Sequence, residues 1–581
     1  MDWRRALPIL GLGIVSYLLV LQWSEFDTTQ RSQELTPATE QSSQDMPPLE
    51  EAPDPETTTE LSSEAESALP EFQSADDESA QQPGESVPQL DATGDTASTI
   101  VVETDTVRAE IQLQTGDLTE VALLQYAVSS DNPTPMRILE QHSGRTYIAQ
   151  SGLLNQDNRD ITRQGRFVAE QDRFELGAGE DELRVPLTQV LDSGLEITKT
   201  YVFKRDDYAI DVEFEVRNTA DSAQQFSQFG QLRRDRSSDP SRGAGFAMAS
   251  YLGVATTSED DRYDKISFRN MDRRAHTHTH FGGWMAFLQH YFVSAWVPPQ
   301  NETHRYFARE NNGLYYAGFT SPARTVEAGG TQTWETTLFV GPKLQDRLSE
   351  LAEHLQLTVD YGWLWWAAQP LFQLMTFIHD YVGNWGWTIV LLTLIIKMAF
   401  YPLSAKAYRS MAKMRKFAPK MQQLKEQYGD DRQKMAQETM KLYKKEKINP
   451  MGGCLPMLVQ MPVFIALYWV FMESVELRHS PFIFWIQDLS SRDPYFILPL
   501  IFGATMFLQM KLGAQPTDPM QAKVMKFLPI GFTAFFLLFP AGLVLYWVVN
   551  NSISIAQQQF VNWRVLREDE KAAAAAKADG D

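Results

Sequence analysis

The stretch LLTLIIKMAFYPL, residues 391–403, decides how the C-terminal part of this chain folds. Its apolar side chains continue over a whole helical segment, and one lysine, Lys397, interrupts them. A lysine at the centre of a membrane helix costs about 2.5–3.5 kcal/mol, so we expect its charge to face water or other protein groups. Alternatively, its flexible stem reaches the interface, because Lys397 lies six residues before Leu403, which is about 9 Å of helix.

Further apolar runs follow in close succession after residue 380. Most are near the length that crosses ~30 Å of hydrocarbon. Together with residues 6–23, which follow two arginines, they predict six transmembrane helices, five of which form the core. Residues 24–26 offer no small-residue cleavage site, which favours an uncleaved anchor over a signal peptide. The five later spans are predicted at 385–403, 452–472, 495–510, 524–539 and 541–560.

The charges of the loops predict the orientation of these helices. Residues 404–449 carry 13 basic and 5 acidic side chains, a net charge of +8, which places this loop in the cytoplasm. Both termini are then cytoplasmic, and residues 24–384 lie outside. The apolar, tryptophan-rich segment 361–383 is not counted as a crossing, because a crossing there would put the basic loop outside. We expect it to form an amphipathic helix at the outer interface.

An acidic segment and a β-rich segment separate the first span from the others. Residues 25–106 carry 21 acidic side chains and one basic side chain, which is most of the net charge of −22. Their Ser, Thr, Gln and Pro content predicts a disordered tether, or else a charged binding tail. In YAIDVEFEV (208–216) apolar and charged residues alternate, and TKTYVFK (198–204) precedes it across a turn, which predicts a hairpin. With further strand patterns near 146, 313 and 333, an all-β sandwich is expected.

The basic loop 404–449 has the pattern of two helices joined at 429–431. Glycine there suits a helix end and aspartate the next N-cap. An apolar stripe on the first helix either packs on the second helix or binds amphipathic and anionic partners. The candidates for partner binding are Met411, Lys413, Met414, Arg415, Lys416 and Met421.

Other polar side chains lie inside the predicted spans, in their cytoplasmic halves. Each is typical of interhelical hydrogen bonding. Together with Lys397 they favour a hydrated recess that opens to the cytoplasm but not through the membrane. Such a recess shortens the distance through hydrocarbon that a polar chain segment must cross, and its positive charge attracts acidic residues of that segment. No ATP is needed for this step. These side chains are Thr393, Gln460, Thr505, Gln509, Asn550, Asn551, Ser554 and Gln557.

Several kinds of chemistry have no signature in this sequence. One cysteine, Cys454, excludes an intrachain disulfide. P-loop, dinucleotide-glycine, HExxH and GxSxG motifs are all absent, so we predict neither an enzyme nor a cofactor. His276, His278 and His280 share one face if they form a strand, which suits either a transition metal or a His-rich edge. Because no carboxylate cluster supports them, we predict no metal site.

Four stretches of the C-terminal region resemble the YidC membrane protein insertase family of Gram-negative bacteria. The resemblance covers residues 385–563 closely, and the N-terminal parts match in layout more than in motif. The stretches are NPMGGCLPMLVQMPVFIALY (449–468), SMAKMR (410–415), DPMQAKVMKFLP (518–529) and FPAGLVLYWVVNN (539–551).

The resemblance implies a polytopic α-helical protein of the bacterial inner membrane that inserts nascent membrane proteins. It implies a five-helix core with a hydrophilic groove and a periplasmic β-supersandwich. It also implies that the protein acts alone or beside the Sec translocon. The implied partners are ribosomes, targeting factors and membrane lipids. The organisation expected is an anchor at 1–24, a tether at 25–99, a β-domain at 100–345, an interfacial region at 346–384, a core at 385–563 with the hairpin 404–449, and a cytoplasmic tail at 564–581.

The resemblance also assigns groove positions. Lys397 occupies the place where the family usually has arginine. Thr393 and the pair Tyr546–Trp547 fall at substrate-contacting positions, although a tyrosine is commoner than tryptophan at the second position of the pair. The predicted substrate groove consists of Lys397, Thr393, Gln460, Thr505, Gln509, Tyr546, Trp547 and Asn550.

Two other classes of protein compete with an insertase. A transporter or channel for a small solute also places polar residues in several helices, but it more naturally shows inverted repeats or broken helices, and no convincing internal repeat is found. An intramembrane enzyme lacks a nucleophile–base pair or a metal signature.

Overall fold

The computed structural model describes residues 99–129, 132–241, 250–428, 431–445, 455–512 and 519–578. The predicted N-terminal anchor and the predicted tether, apart from Thr99, lie outside these residues.

Strands from Thr99 to Pro342 form the β-domain. The first ten are β1 (Thr99–Glu103), β2 (Val107–Gln112), β3 (Asp117–Ser129), β4 (Asn132–His142), β5 (Arg145–Leu154), β6 (Arg173–Glu175), β7 (Glu182–Leu191), β8 (Leu195–Lys204), β9 (Ala209–Asn218) and β10 (Gln224–Arg234). The others are β11 (Gly253–Thr256), β12 (Asp264–Ile266), β13 (His276–Phe281), β14 (Met285–Leu288), β15 (Phe292–Val297), β16 (Thr303–Asn311), β17 (Leu314–Thr320), β18 (Arg324–Val326) and β19 (Thr331–Pro342).

These strands make two sheets that face each other. The 11-stranded sheet has the order β13-β16-β17-β10-β5-β4-β3-β2-β1-β6, with β18 beside β10, and the 8-stranded sheet has the order β12-β11-β14-β15-β19-β9-β8-β7. The predicted hairpin is present, since β8 and β9 pair antiparallel with Phe203 opposite Ile210. Trp284, Trp296 and Phe214 are fully buried in the core of this domain. The prediction of a large all-β sandwich is confirmed.

The three histidines lie on β13, at the edge of the 11-stranded sheet. Their side chains alternate with exposed residues and are half-buried. The ring of His278 stacks on Tyr306, and its Nε2 lies 2.9 Å from the carbonyl oxygen of Thr257. Burial lowers the pKa of His278. No group of three potential ligands that suits a metal occurs among the residues with described positions.

A lysine is buried inside the sandwich. Lys199 on β8 is 0% exposed, and its Nζ donates to the carbonyl oxygens of Gly116, at 2.7 Å, and Ser151, at 2.9 Å. The ammonium lies 5.0 Å from the ring centroid of Tyr201. Desolvation lowers the pKa of Lys199 to about 8. A neutral amine keeps two N–H donors, so both hydrogen bonds persist after the proton is lost.

This buried lysine predicts a pH dependence of the β-domain. Its pKa is lower in the folded than in the unfolded chain, so the unfolded state binds more protons between the two values and stability rises with pH there. We expect the free energy of unfolding of wild type, relative to Lys199→Met, to rise by about 2 kcal/mol between about pH 7 and pH 9.5. Urea titrations of the full-length protein in detergent measure this difference. A parallel pH dependence of the two proteins would contradict it.

Helices account for most of the chain after residue 344. The short helix α1 (Phe268–Arg273) belongs to the β-domain, and 3₁₀ turns occur at Ile161–Arg163, Leu355–Thr358, Gly362–Leu364 and Val475–Leu477. The remaining helices are α2 (Gln345–Leu351), α3 (Trp365–Val382), α4 (Trp385–Ala399), α5 (Tyr401–Lys416), α6 (Ala418–Tyr428), α7 (Arg432–Lys445), α8 (Leu455–Glu473), α9 (Ile497–Leu512), α10 (Pro519–Phe536) and α11 (Ala541–Ala578).

The helix that carries Lys397 is shorter than predicted. It ends at Ala399 rather than Leu403, and the chain turns by 68° into α5 at Phe400. Pro402 at the start of α5 explains the break, because proline lacks an N–H and is accommodated in a first helical turn rather than in a helix interior. By length and apolar composition, no single helix in the described ranges qualifies as a membrane span, whereas α4 and α5 qualify as a bent pair.

The basic loop contains three helices instead of the two predicted. The predicted first helix is divided at Phe417, and Pro419 lies in the first turn of α6, where its missing N–H is tolerated. The predicted cap at Asp431 is present, since its Oδ1 accepts from the backbone N–H groups of Gln433 and Lys434. Residues 429 and 430 lie outside the described residues.

The β-domain and the helices meet at a buried polar contact. Lys343, directly after β19, places its Nζ 3.9 Å from Oε2 of Glu473, the last residue of α8. Ser250 donates to the same carboxylate at 3.3 Å. Both side chains of the ion pair are at most 3% exposed. Burial lowers the pKa of Lys343, and the nearby Glu473 opposes this shift.

Candidate functional site

The site is built on α4, where Thr393 and Lys397 are one turn apart. Lys397 is 5% exposed and Thr393 is 1% exposed, so both side chains point into the helix cluster and not toward its surroundings. The Thr393 hydroxyl donates to the carbonyl oxygen of Ile389 at 2.6 Å. This internal hydrogen bond satisfies the hydroxyl, and Lys397 is therefore the side chain that reaches the neighbouring helices.

Four side chains form a hydrogen-bonded group that we name the inner polar cluster: Lys397, Gln460, Asn550 and Ser554. The Nζ of Lys397 donates to Ser554 Oγ at 2.8 Å and to Gln460 Oε1 at 3.2 Å. Gln460 Nε2 in turn donates to Asn550 Oδ1 at 2.8 Å. The cluster thereby links α4, α8 and α11.

The charge of the inner polar cluster is not neutralised within it. Lys397 forms no ion pair with any carboxylate of the described chain, and its two partners are uncharged. An ammonium carries three N–H donors, and the two bonds above use two of them. A buried charge without a counter-ion is costly, and the two hydrogen bonds offset part of that cost.

Further polar contacts surround the inner polar cluster. Asn551 Nδ2 donates to Thr505 Oγ1 on α9, a long contact at 3.4 Å. Gln557 Nε2 donates to the carbonyl oxygen of Lys397 at 3.3 Å, in the last turn of α4. Gln509, a predicted groove residue on α9, is half-buried. Thr505 and Gln509 thus lie on the neighbouring helix, and Thr505 connects it to α11.

Tyr546 and Trp547 lie in an aromatic layer next to the inner polar cluster, and the Tyr546 hydroxyl is hydrogen-bonded to Gln460 of that cluster. They precede Asn550 by one turn of α11. Trp547 packs against Phe464, Phe502 and Phe536, with ring centroids 4.7, 6.0 and 5.8 Å away. Its buried Nε1 has no hydrogen-bond partner in the described part of the chain. Tyr546 is 1% exposed. The layer separates the inner polar cluster from the β-domain end of the helices.

The chain closes the β-domain end of the helix cluster with the loop 474–496. Asp493 accepts from the indole Nε1 of Trp485 at 3.0 Å and from the backbone N–H of Leu498 at 2.7 Å, which caps the start of α9. The first residue of α11, Ala541, donates its N–H to the carbonyl oxygen of Ser491 at 2.7 Å. These bonds tie the loop to two helices.

The basic hairpin docks on the opposite end of the cluster. Arg415 donates to the carbonyl oxygen of Lys511 at 3.2 Å, which caps the C-terminal end of α9. Of the predicted partner-binding residues, Lys413, Arg415 and Lys416 are exposed. The methionines Met411, Met414 and Met421 are half-buried, which is consistent with a stripe that packs in part on neighbouring protein.

Ser554 was the site residue that sequence reasoning undervalued. The predicted groove does not include Ser554, although this side chain makes the shorter of the two Lys397 bonds. The available signal was its spacing, because Asn550 and Ser554 are four residues apart and share a helix face. Asn551 and Gln557 lie in the same polar region.

The outer surfaces of α9 and α10 are apolar. Large side chains there are exposed, among them Leu500, Phe507, Phe527 and Ile530, each more than half exposed. A surface of this kind matches lipid acyl chains rather than water. The polar side chains of the site thus face the interior of the cluster, and apolar ones face outward.

Known proteins show the same sequence organisation. The family profile of the YidC periplasmic domain matches residues 99–374, and that of the 60Kd inner membrane protein matches residues 377–568. The membrane protein insertase YidC of Hahella chejuensis is 47% identical over 587 residues, covering 99% of both chains. That of Stutzerimonas stutzeri is 47% identical over 575 residues, covering 99% of this chain and 100% of the relative.

Among solved structures, an active YidC insertase with its first transmembrane domain resolved aligns with 80% of this chain and 92% of its own, at 17% identity and a TM-score of 0.37. The sequence matches extend over nearly the full length of both this chain and its relatives. The chain therefore belongs to the YidC family of membrane protein insertases.

Proposed function

We propose that this insertase receives the polar segments of nascent membrane proteins at the inner polar cluster. The observation that carries the proposal is the buried Lys397 ammonium, held by Gln460 and Ser554 without a carboxylate partner. An acidic residue of a client supplies the missing counter-charge. The polar side chains around it offer hydrogen bonds that replace water as the client segment leaves the cytoplasm.

The free energy for transfer comes from the client itself. Its apolar helix moves from the aqueous side into lipid along the apolar surfaces of α9 and α10, and burial of about 20 apolar residues is strongly favourable. The inner polar cluster lowers the cost of carrying the attached polar tail. No ATP is required by this scheme.

We propose that the chain crosses the inner membrane six times with both termini in the cytoplasm. The spans are the N-terminal anchor, α4, α8, α9, α10 and the first part of α11. The tether 25–99 and the β-domain 100–345 are then periplasmic, and α3 lies at the outer interface. The exposed tryptophans Trp363, Trp365 and Trp366, each more than half exposed, support an interfacial position for the start of α3.

We propose that the hairpin formed by α5, α6 and α7 receives partners in the cytoplasm. Its exposed basic residues suit ribosomal RNA or targeting factors, and its half-buried methionines suit amphipathic partner segments. Cooperation with the Sec translocon belongs to the same proposal. It rests on family membership and on the size of the periplasmic β-domain.

Photocrosslinking to a stalled client tests the proposed path. A photoreactive residue at position 393 projects from the face of α4 that carries Lys397, whereas one at position 398 replaces Met398, which is 62% exposed on the same helix. We expect a client stalled with its acidic tail half-transferred to crosslink from position 393, at least about threefold more than from position 398. Equal crosslinking from both positions, or none from 393, would contradict a path through the inner polar cluster.

A further inference from the structure

Two arginines in the second half of α11 are stacked on aromatic rings of the same helix. The guanidinium carbon of Arg564 lies 4.7 Å from the ring centroid of Phe560, and that of Arg567 lies 4.1 Å from the ring centroid of Trp563. Each pair is four residues apart, so all four side chains share one face over two helical turns. We name this face the arginine–aromatic stripe.

The stripe is exposed, and its two arginines are not held in ion pairs within the described part of the chain. All four of its side chains are exposed. Gln558, on the opposite side of the helix, is 4% exposed and packs into the protein. The nearby Arg409 of α5 pairs with Glu568 at 3.6 Å, whereas neither arginine of the stripe pairs with a carboxylate of the described residues. The stripe therefore presents free guanidinium donors to its surroundings.

The distance along α11 places the stripe at a membrane boundary. The helix begins at Ala541, which is tied to the loop 474–496 at the β-domain end. At 1.5 Å per residue, Phe560 lies about 28 Å further along, close to the ~30 Å thickness of the hydrocarbon core. Arg564 and Arg567 lie about 35 and 39 Å along the helix, at the depth of lipid headgroups.

We propose that the arginine–aromatic stripe binds the phosphate of an anionic phospholipid in the cytoplasmic leaflet. A guanidinium stacked on a ring has a fixed plane, and its outward N–H groups match two phosphate oxygens. The aromatic rings occupy the boundary between acyl chains and headgroups, where tryptophan is favoured. A lipid supplies both halves of this pattern, a phosphate and an adjacent apolar chain. A free phosphate supplies only the first.

Native mass spectrometry of the full-length protein in detergent tests the proposal. We expect wild type to retain phosphatidylglycerol over phosphatidylcholine of the same acyl chains, and the variant Arg564→Gln/Arg567→Gln to lose affinity for phosphatidylglycerol by about tenfold. The matched control Lys434→Gln/Lys441→Gln removes the same charge from exposed lysines of α7. It should bind phosphatidylglycerol as wild type does.

Three results would overturn the proposal. The first is equal phosphatidylglycerol retention by wild type and the arginine variant, and the second is an equal loss in the lysine control, which indicates a general charge effect. The third is complete displacement of the lipid by millimolar inorganic phosphate, which indicates a site for free anions.

The inference rests on the membrane position proposed for α11, but its assay contains no client. Failure of crosslinking at position 393 and failure of lipid retention are thus distinguishable.

Discussion

Replacing Lys397 by glutamate is expected to reduce the insertion of a client with an acidic translocated tail at least about tenfold, a difference of about 1.4 kcal/mol. The side chain is 5% exposed and its ammonium is the one charge of the inner polar cluster. Gln460 and Ser554 also carry donor groups, so they can reorient and hold a carboxylate in the same place. The site then repels the tail that it attracts in the wild type.

The expected order of insertion is wild type, then Lys397→Arg at nearly the same level, then Lys397→Gln, then Lys397→Glu. The measurement is protease protection of the client tail in reconstituted vesicles. A matched control is Lys571→Glu, which makes the same change of charge at an exposed position of α11 beyond the proposed membrane span. A client with a neutral tail should be much less sensitive. Equal insertion by the glutamate and arginine variants would show that the charge of residue 397 plays no part in insertion.

The second large effect is expected at the contact between the β-domain and the helices. Lys343→Met leaves the Glu473 carboxylate buried with only Ser250 as a hydrogen-bond donor. Breaking a buried ion pair on one side costs up to about 3–5 kcal/mol, less the part that the remaining carboxyl recovers by taking up a proton. We expect the loss to appear as faster proteolysis between the β-domain and α3, and as a lower midpoint of chemical denaturation.

The double variant Lys343→Met/Glu473→Gln should recover most of this loss, because it leaves no unpaired charge. An exposed ion pair supplies the control. Lys204 pairs with Asp211 at 2.6 Å but is 44% exposed, and Lys204→Met should cost less than about 1 kcal/mol. If Lys343→Met behaved like Lys204→Met, the buried pair would contribute nothing to holding the two parts together.

Local patterns predicted much of this fold. The alternation in residues 208–216 identifies β9, and the preceding turn identifies its hairpin with β8. The helix ends were less predictable, because apolar character continues past Ala399 although the chain bends at Phe400. Pro402 and Pro419 are the local signals for the two unpredicted helix breaks. Each lies in a segment whose apolar or amphipathic pattern continues across the break, so the pattern predicts one continuous helix.

The polar site shows a different limit. Sequence reasoning selected Lys397, Gln460 and Asn550, and the structure brings these three together. The sequence marks Ser554 only as one more polar residue of the last helix, and no local pattern indicates its bond to Lys397. Such a contact depends on the rotation of α11 about its axis relative to α4, which hydrophobic periodicity defines only to within a helix face. Trp547, another predicted groove residue, packs against phenylalanines one turn from Asn550.

The bend at Phe400 connects α4 and α5 with almost no intervening loop. One residue separates α4 from α5, so the arm formed by α5 is joined to the segment carrying Lys397 through a single backbone pivot. A load applied to the far end of that arm, at Lys416, acts over about 24 Å of rigid helix. Such a force acts on the final turn of α4, which contains Lys397. The backbone carbonyl oxygen of Lys397 accepts a hydrogen bond from Gln557 in this turn. We therefore expect a cytoplasmic partner that moves α5 to move the last turn of α4 as well, in so far as the contacts of Arg409 and Arg415 with other helices give way.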